Sequence, residues 1–190
     1  MSKSILISIL ILNFNRSKDL LETLHKTNDI KWKNIEIIIV DNGSTDESPK
    51  VIKKLNRKKY KKIFIKKNKG SAYGHQVGMQ AAKGELIVTL DDDAFINPNN
   101  INICVNYFKK FPKLAAIGFG MINPNTDFNY KDYLDIPLSK WNEEIINNSY
   151  ETIIATSAAI FRKSALVDIN YYDLNWNWYT EDLELCMRLI

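Results

Sequence analysis

The chain has little of what marks a disulfide-bonded, zinc-binding or membrane-spanning protein. It contains only two cysteines in 190 residues, Cys104 and Cys186, which lie far apart and form no C-x-x-C pair. This usage favours a reducing compartment and two buried or inert thiols over a disulfide or a zinc site. The apolar stretch 5–12 is too short to span a bilayer and runs directly into polar residues. We therefore expect a cytosolic chain whose N-terminal stretch is a core strand and not a signal peptide.

A strong net charge is missing as well. The formal net charge is +4, and the hydrophobic fraction of 45% and charged fraction of 25% are ordinary for a globular chain. Composition alone therefore demands neither a nucleic-acid nor a membrane partner. Basic residues nevertheless concentrate between Lys53 and Lys67. Such a run is usually a solvated helix face and a lysine-protected edge strand. The alternative is peripheral contact with an anionic membrane surface or a polyanionic acceptor. Too few aromatics are interleaved for base stacking, so we expect no nucleic-acid partner.

Strand and helix signals alternate through residue 119. This alternation predicts right-handed βαβ units and a mostly parallel sheet. Beyond it we predict a long loop over 123–148, a strand at the sheet margin over 152–161 and a helix over 182–190. The predicted strands of the first part are 4–12, 35–40, 63–65, 86–90 and 114–119. The predicted helices begin at Ser17, at Ser48-Pro49, at residue 71 and at Pro98, with the two serines as N-caps.

Three consecutive carboxylates, Asp91, Asp92 and Asp93, follow the buried strand predicted over 86–90. Like charges about 4 Å apart repel by roughly 4 kcal/mol at the effective dielectric of a protein surface, so the triplet is costly. Ligands of open parallel sheets bind just beyond the carboxyl ends of strands, and Mg²⁺ commonly uses one or two carboxylates with substrate phosphates. The triplet predicts either a cation site for a phosphorylated ligand or an acidic, solvated turn. Asp41 ends the second strand and shares the same sheet edge if strands one, two and four are neighbours.

Five segments together resemble the motifs of family 2 glycosyltransferases. They are residues 9–16, 36–46, 68–85, 90–93 and 179–188, and they follow the family order along nearly the whole chain. The resemblance implies an α/β fold: a GT-A type, Rossmann-like α/β/α sandwich with a mostly parallel central sheet, in one catalytic domain over 1–190. Residues 1–119 would form the nucleotide-binding half and residues 120–190 the acceptor-side half. Because no stop signal follows the last predicted helix, we expect an excised or incomplete core with weak acceptor transfer.

The resemblance also implies a donor, a metal and site residues. The donor would be a UDP-, dTDP- or GDP-sugar, and the acceptor a hydroxyl of a saccharide, lipid-linked or protein acceptor, attacked with inversion. A divalent cation, Mn²⁺ or Mg²⁺, held by Asp93 and Asp91 would stabilise the departing diphosphate. Asp41 would contact the base, with Asn13 in the same pocket. The donor-binding positions that it implies are Asn13, Asn15, Asp41, Asn68, Gly70, Asp91 and Asp92. The sequence departs from the family at His75-Gln76, where members often carry Arg-Asn.

The last motif supplies the expected catalytic base. Direct displacement needs a carboxylate on the acceptor side of the sugar to take the hydroxyl proton. Asp182, with Glu181 beside it, stands at a predicted helix start, which favours an ionised carboxylate. The alternative is that Asp182 only caps its helix. We interpret Trp176, Trp178 and Tyr179 as an aromatic platform for a sugar ring, with a place in the core as the alternative.

Two other functions compete with this prediction. A sugar-phosphate nucleotidyltransferase would need a glycine-rich loop after strand one, and residues 13–17 contain no glycine. A catalytically degenerate domain would bind polyanions through the lysine run. It would show a steep salt dependence and no metal-dependent nucleotide affinity.

Overall fold

The computed structural model describes residues 4–119, 157–176 and 180–189. The described part is built around a six-stranded sheet with the order β3-β2-β1-β4-β6-β5. Its strands are β1 (Ile7–Asn13), β2 (Ile35–Asp41), β3 (Tyr60–Phe64), β4 (Leu86–Asp91), β5 (Ala116–Gly118) and β6 (Ala158–Arg162). Its helices are α1 (Ser17–Thr27), α2 (Ser48–Lys54), α3 (Ser71–Ala81), α4 (Asn100–Lys110), α5 (Lys163–Asp168) and α6 (Glu181–Leu189). The loop predicted over 123–148 lies outside the described residues.

Strand β1 is the centre of the fold. All seven of its residues are buried, and it pairs in parallel with β2 on one side and β4 on the other. Alternate side chains enter two separate cores: Ile9 packs with residues of α1 and α4, and Leu10 packs with residues of α3 and α6. A strand covered by helices on both faces must be apolar throughout, as β1 is. The predicted α/β/α sandwich with a mostly parallel sheet is therefore confirmed.

The register of the parallel strands brings the predicted polar residues to one edge. Asn13 is the Cα partner of Asp41, and Leu12 is the partner of Asp91. Phe64 of β3 pairs with Asp41 from the other side. The prediction that Asp41 and the acidic triplet share one edge of the sheet is thus confirmed.

The prediction of a strand at the sheet margin over 152–161 is wrong in position. Strand β6 lies between β4 and β5 and is antiparallel to both. Ala159, Ile160 and Phe161 have no exposed surface, because both faces of this strand are covered. Residues 152–156 of the predicted strand lie outside the described residues.

The two serines predicted as N-caps are the first residues of their helices. Arg16 and Glu47 hold the cap positions, and neither makes a capping hydrogen bond with its side chain. The Asp46 carboxylate supplies acceptors for both helices, because the backbone N–H of Ser17 (3.2 Å) and of Ser48 (2.9 Å) donate to it. Burial disfavours ionisation of Asp46, but these hydrogen bonds outweigh it and lower its pKa. One carboxylate thus joins the N-termini of α1 and α2.

Both cysteines are buried thiols and neither forms a disulfide. Burial raises the pKa of Cys104 to about 11, so its thiol is protonated at neutral pH. In the described ranges, no helix combines the length and the apolar character needed to cross a bilayer.

Candidate functional site

A buried polar pair ends β1 and β2. Asn13 Nδ2 donates to Asp41 Oδ1 at 3.0 Å, and the two residues are 0% and 2% exposed. Asn13 Oδ1 is also buried and has no hydrogen-bond partner among the described residues. An unmet buried acceptor costs about 1–3 kcal/mol unless a ligand satisfies it. The pair therefore offers acceptor oxygens for the N–H groups of a ligand at this edge.

Asn15 joins the loops that follow β1 and β2. It has a positive φ of 57°, and its Oδ1 accepts hydrogen bonds from the backbone N–H of Thr45 (2.7 Å) and Asp46 (3.3 Å). Its own N–H donates to Ser44 Oγ at 2.9 Å. The side-chain oxygen of this predicted donor-binding residue is thus used to shape the site. Its contact with a donor stays a prediction.

The side chain of Asn42 holds Asn68 and Gly70, the predicted donor-binding residues before α3. The buried Asn42 donates through Nδ2 to Gly70 O (2.9 Å) and to Asn68 Oδ1 (3.2 Å). Gly43 has a φ of +80°, and a Cβ there would lie 2.5 Å from the Asn68 backbone nitrogen. Only glycine fits this close approach, which places the start of α3 beside the strand ends. Asn42 was not predicted as a site residue, because its only signal in the sequence is the Asn-Gly pair after a strand.

The three acidic residues after β4 have different environments. Asp92 is 7% exposed, and its Oδ2 accepts from the Phe14 backbone N–H at 3.0 Å. Its carbonyl oxygen accepts from Thr23 Oγ1 at 2.8 Å. The side chains of Asp91 and Asp93 are 40% and 51% exposed. Asp92 therefore fastens the triplet to β1 and α1, while its two neighbours are open to a ligand.

The carboxylates at this edge of the sheet repel one another. Burial, followed by the charges of Asp93 and Asp182, raises the pKa of Asp91 to about 6. Burial also raises the pKa of Asp92 to about 6. Arg16 makes an ion pair with Asp93, and its Nε lies 3.9 Å from Asp92 Oδ1. Asp93 and then Asp92 raise the pKa of Arg16. The Arg16 charge only partly offsets the excess negative charge.

His75 lies beneath Asp91 on the buried side of α3. Its side chain is 1% exposed, and its Nε2 lies 3.9 Å from Asp91 Oδ1 with no hydrogen-bond partner among the described residues. Its Nδ1 is 3.2 Å from Ser71 Oγ. Burial lowers the pKa of His75 to about 4, so the imidazole is neutral at pH 7 and does not neutralise Asp91.

Helix α6 brings Glu181 and Asp182 towards the same site. The charges of both residues act on Asp91 and His75. Because α6 begins at Glu181 and the N–H of Glu184 donates to Thr180 O at 3.0 Å, Asp182 lies inside the first turn and not at the cap. Buried Glu184 pairs with Arg188, whose guanidinium donates to the carbonyl oxygens of Ile169 and Tyr171. This network fixes α6 against the segment after α5.

The predicted aromatic platform is described only in part. Trp176 is 44% exposed, so it does not belong to the core, and its Nε1 donates to Thr180 Oγ1 at 3.2 Å. Trp178 and Tyr179 lie outside the described residues.

The residues present fit a cation that is carried by a phosphorylated ligand. Within residues 4–119, 157–176 and 180–189, no cluster of three or more His, Cys, Asp or Glu side chains forms a metal cage. The available donors are the two open carboxylates of Asp91 and Asp93. Mg²⁺ is commonly held by one or two carboxylates together with substrate phosphates, and such an open donor set matches that case.

Replacing Asp91 by asparagine should stabilise the ligand-free protein at neutral pH. The folded state binds the Asp91 proton more tightly than the unfolded chain does, so stability falls as pH rises from about 4 to about 6. Asp91→Asn removes this loss. After discounting for the 40% exposure of the side chain, we expect a gain of about 1 kcal/mol at pH 7.5 and none at pH 4.

Urea unfolding of variant and parent at both pH values checks this prediction. His75 titrates in the same range with the opposite sign, because its lowered pKa makes stability fall as pH drops below about 6.5. The comparison is therefore made between the two proteins at each pH. The exposed, remote Asp29→Asn is the control. A destabilised Asp91→Asn protein at pH 7.5 would contradict the expected sign.

The described fold is a GT-A sandwich with polar and acidic residues at the carboxyl ends of its parallel strands. Residues 8–169 match the sequence profile of Glycosyl transferase family 2, and the chain belongs to that family. It is 28% identical over 189 aligned residues to the poly-beta-1,6-N-acetyl-D-glucosamine synthase of Staphylococcus epidermidis, covering 96% of this chain and 45% of the relative. The Staphylococcus aureus (strain COL) synthase is 25% identical with the same coverage. The chain thus spans under half the length of these relatives.

Two solved structures share the fold. The mannosyltransferase PcManGT from Pyrobaculum calidifontis, in complex with GDP-Man and Mn²⁺, superposes with a TM-score of 0.78 at 15% identity, over 99% of this chain and 52% of that one. The S. aureus TarS complex with UDP-GlcNAc gives a TM-score of 0.74 at 20% identity, over 97% and 53% of the two chains. At these identities the likeness shows the fold alone.

Proposed function

We propose that this chain is the donor-binding catalytic core of a glycosyltransferase. It would transfer a sugar from a nucleoside-diphosphate sugar to an acceptor hydroxyl, with inversion and with a divalent cation. The observation that carries this proposal is the convergence of three features at one sheet edge. These are the buried Asn13–Asp41 pair, the open carboxylates of Asp91 and Asp93, and the first turn of α6 with Asp182. The GDP-Man, Mn²⁺ and UDP-GlcNAc named for the two neighbours support a nucleotide-sugar donor.

Each of these features has a task in the proposed reaction. The Asn13–Asp41 pair accepts hydrogen bonds from the base, which satisfies the unmet Asn13 oxygen. Asp91 and Asp93 would hold the cation, which when bound offsets the negative charge gathering on the departing diphosphate. The acceptor oxygen forms its bond to the anomeric carbon as the bond from that carbon to the diphosphate oxygen breaks. Asp182 takes the acceptor proton in the same step.

A thermal-shift screen tests the proposal. UDP, GDP, dTDP and their sugars are each added with and without Mn²⁺. A ligand that binds only the folded protein stabilises it by RT ln(1 + [L]/Kd), about 2.7 kcal/mol at one hundred times Kd. We expect one nucleotide to raise the melting temperature strongly, and to do so only with Mn²⁺. If no nucleotide stabilises the protein in either condition, the proposal fails.

The same screen separates the competing functions. The family match does not favour a nucleotidyltransferase, which would prefer a nucleoside triphosphate over a nucleoside-diphosphate sugar. A degenerate polyanion-binding domain would show no metal-dependent stabilisation.

A further inference from the structure

The charge of this chain is divided very unevenly. Residues 48–84 contain 12 Lys and Arg and no Asp or Glu, so this segment carries +12 while the rest of the chain carries −8, giving the overall +4. The segment comprises α2, the edge strand β3 and α3. Within it, we call the exposed part of residues 53–67 the basic face. Its exposed cations are Lys53, Lys54, Arg57, Lys58, Lys59, Lys61, Lys66 and Lys67.

Among the described residues, the one ion pair of a lysine or arginine in this segment joins Lys50 to Glu47 at 2.9 Å, and no carboxylate pairs with a cation of the basic face. Several ammonium groups instead donate to uncharged oxygens: Lys59 to Asn28 Oδ1, and Lys61 to Ala81 O at 2.6 Å. Hydrogen bonds of this kind hold the side chains in place but leave the positive charge unbalanced. A concentrated field of one sign raises the local concentration of anionic partners and speeds their association.

The basic face contains a cleft with aromatic residues in it. Its volume is about 300 Å³, and Lys53, Arg57, Tyr60, Lys62 and Phe64 line it. Alternate residues of β3 point into it, and Phe64 is 41% exposed beside the Lys53 ammonium, 5.7 Å from the ring centroid. Such a cleft can take one phosphate between its cations and a short apolar segment against the ring.

The chemistry of the basic face fits an anionic bilayer better than a soluble polymer. Its cations are spread over a helix, a turn and a strand, whereas a nucleic-acid strand needs a charged groove with several stacking aromatics. An exposed aromatic ring among lysines is typical of surfaces that bind at the lipid headgroup level. Phe64 is also the Cα partner of Asp41, so the basic face reaches the same sheet edge as the Asn13–Asp41 pair.

We propose that the basic face docks on a membrane surface rich in anionic phospholipid, with one lipid phosphate in the cleft. This inference goes beyond the proposed transfer reaction. Docking in this way holds the candidate donor site next to the membrane, where a lipid-linked acceptor would lie.

Flotation with vesicles tests the proposal. The protein is mixed with vesicles of 3:1 phosphatidylcholine to phosphatidylglycerol, or of phosphatidylcholine alone. It should float with the anionic vesicles and be released by raised salt. Each basic side chain near such a surface contributes a factor of about five, so Lys53→Gln/Arg57→Gln/Lys58→Gln should lower partitioning about 100-fold. The matched control is Lys31→Gln/Lys33→Gln/Lys113→Gln, which removes three exposed charges elsewhere.

Phe64→Ser distinguishes lipid from a soluble polyanion. It should weaken vesicle binding and leave binding to inorganic polyphosphate unchanged, because only the bilayer offers an apolar phase to the ring. Equal partitioning of the two triple variants would overturn the proposal. So would vesicle binding that ignores phosphatidylglycerol, or polyphosphate binding tighter than vesicle binding at equal phosphate.

Nucleotide stabilisation with Mn²⁺ is measured on the same proteins. The basic-face triple variant and Phe64→Ser should keep it, since none of their residues belongs to the candidate donor site. Failure of the parent protein to bind anionic vesicles would therefore contradict the membrane proposal alone. Failure of the parent protein to bind a nucleotide would contradict the proposed function alone.

Discussion

Asp93→Ala should abolish the Mn²⁺-dependent part of nucleoside-diphosphate binding and leave the fold intact. Asp93 is one of two open carboxylates at the candidate site, and its only described ion-pair partner is Arg16. Losing a group that merely supports a metal ligand costs 10- to 100-fold in affinity, so loss of a ligand should cost at least about 100-fold. Titration calorimetry with and without Mn²⁺ measures the effect directly. In EDTA, variant and parent should bind the nucleotide alike.

Stability should hardly change in this variant. Both side chains of the Arg16–Asp93 pair are 51% exposed, and exposed ion pairs contribute about 0–1 kcal/mol. Asp29→Ala, which removes an exposed carboxylate far along the chain, is the matched control. Asp92 would be a poor choice for the experiment, because its buried carboxylate holds the Phe14 N–H and its loss would disturb the fold. Unchanged Mn²⁺-dependent affinity in Asp93→Ala would exclude Asp93 as a ligand.

The parallel half of the fold was predictable because its signals are local. Strands β1, β2 and β4 are apolar runs of the right length, and each ends in a polar residue that marks the edge of the sheet. The position of β6 was not predictable in this way. Its antiparallel pairing with β4 joins Leu86 to Arg162, which lie far apart in the sequence. The hydrophobic pattern within a strand does not specify which distant strand it pairs with.

The sequence predicted where the candidate site lies better than it predicted which of its residues hold the loops together and which are open to a ligand. The residue types after β4 indicated a cation site, but they did not reveal that Asp92 would bond to Phe14, 78 residues earlier in the chain. Asn15 was likewise predicted to bind a donor, and the structure shows its oxygen holding the β2 loop. His75 shows the same limit, since only packing reveals that its ring is buried against Asp91.

Asp182→Asn should reduce sugar transfer by about 10²- to 10⁴-fold with donor affinity nearly unchanged, in the chain or in a longer protein that contains it. The amide keeps the shape of the carboxylate but cannot take the acceptor proton. Helix α6 is fixed by the Glu184–Arg188 network, so the substitution should not move the helix. Glu181→Gln, one residue earlier, shows whether the effect belongs to Asp182 alone. The exposed Asp168→Asn, at the end of α5, controls for loss of one negative charge outside the candidate site.

A purely structural role for Asp182 predicts a different pair of results. Asp182 lies inside the first turn of α6, where a carboxylate stabilises the helix by about 0.3–1 kcal/mol through the helix dipole. Asparagine would then lower the melting temperature slightly and leave turnover close to normal. Measuring kcat, donor affinity and melting temperature on the one variant separates the two roles. A normal kcat with a lower melting temperature would rule out Asp182 as the base, because loss of the base must lower kcat.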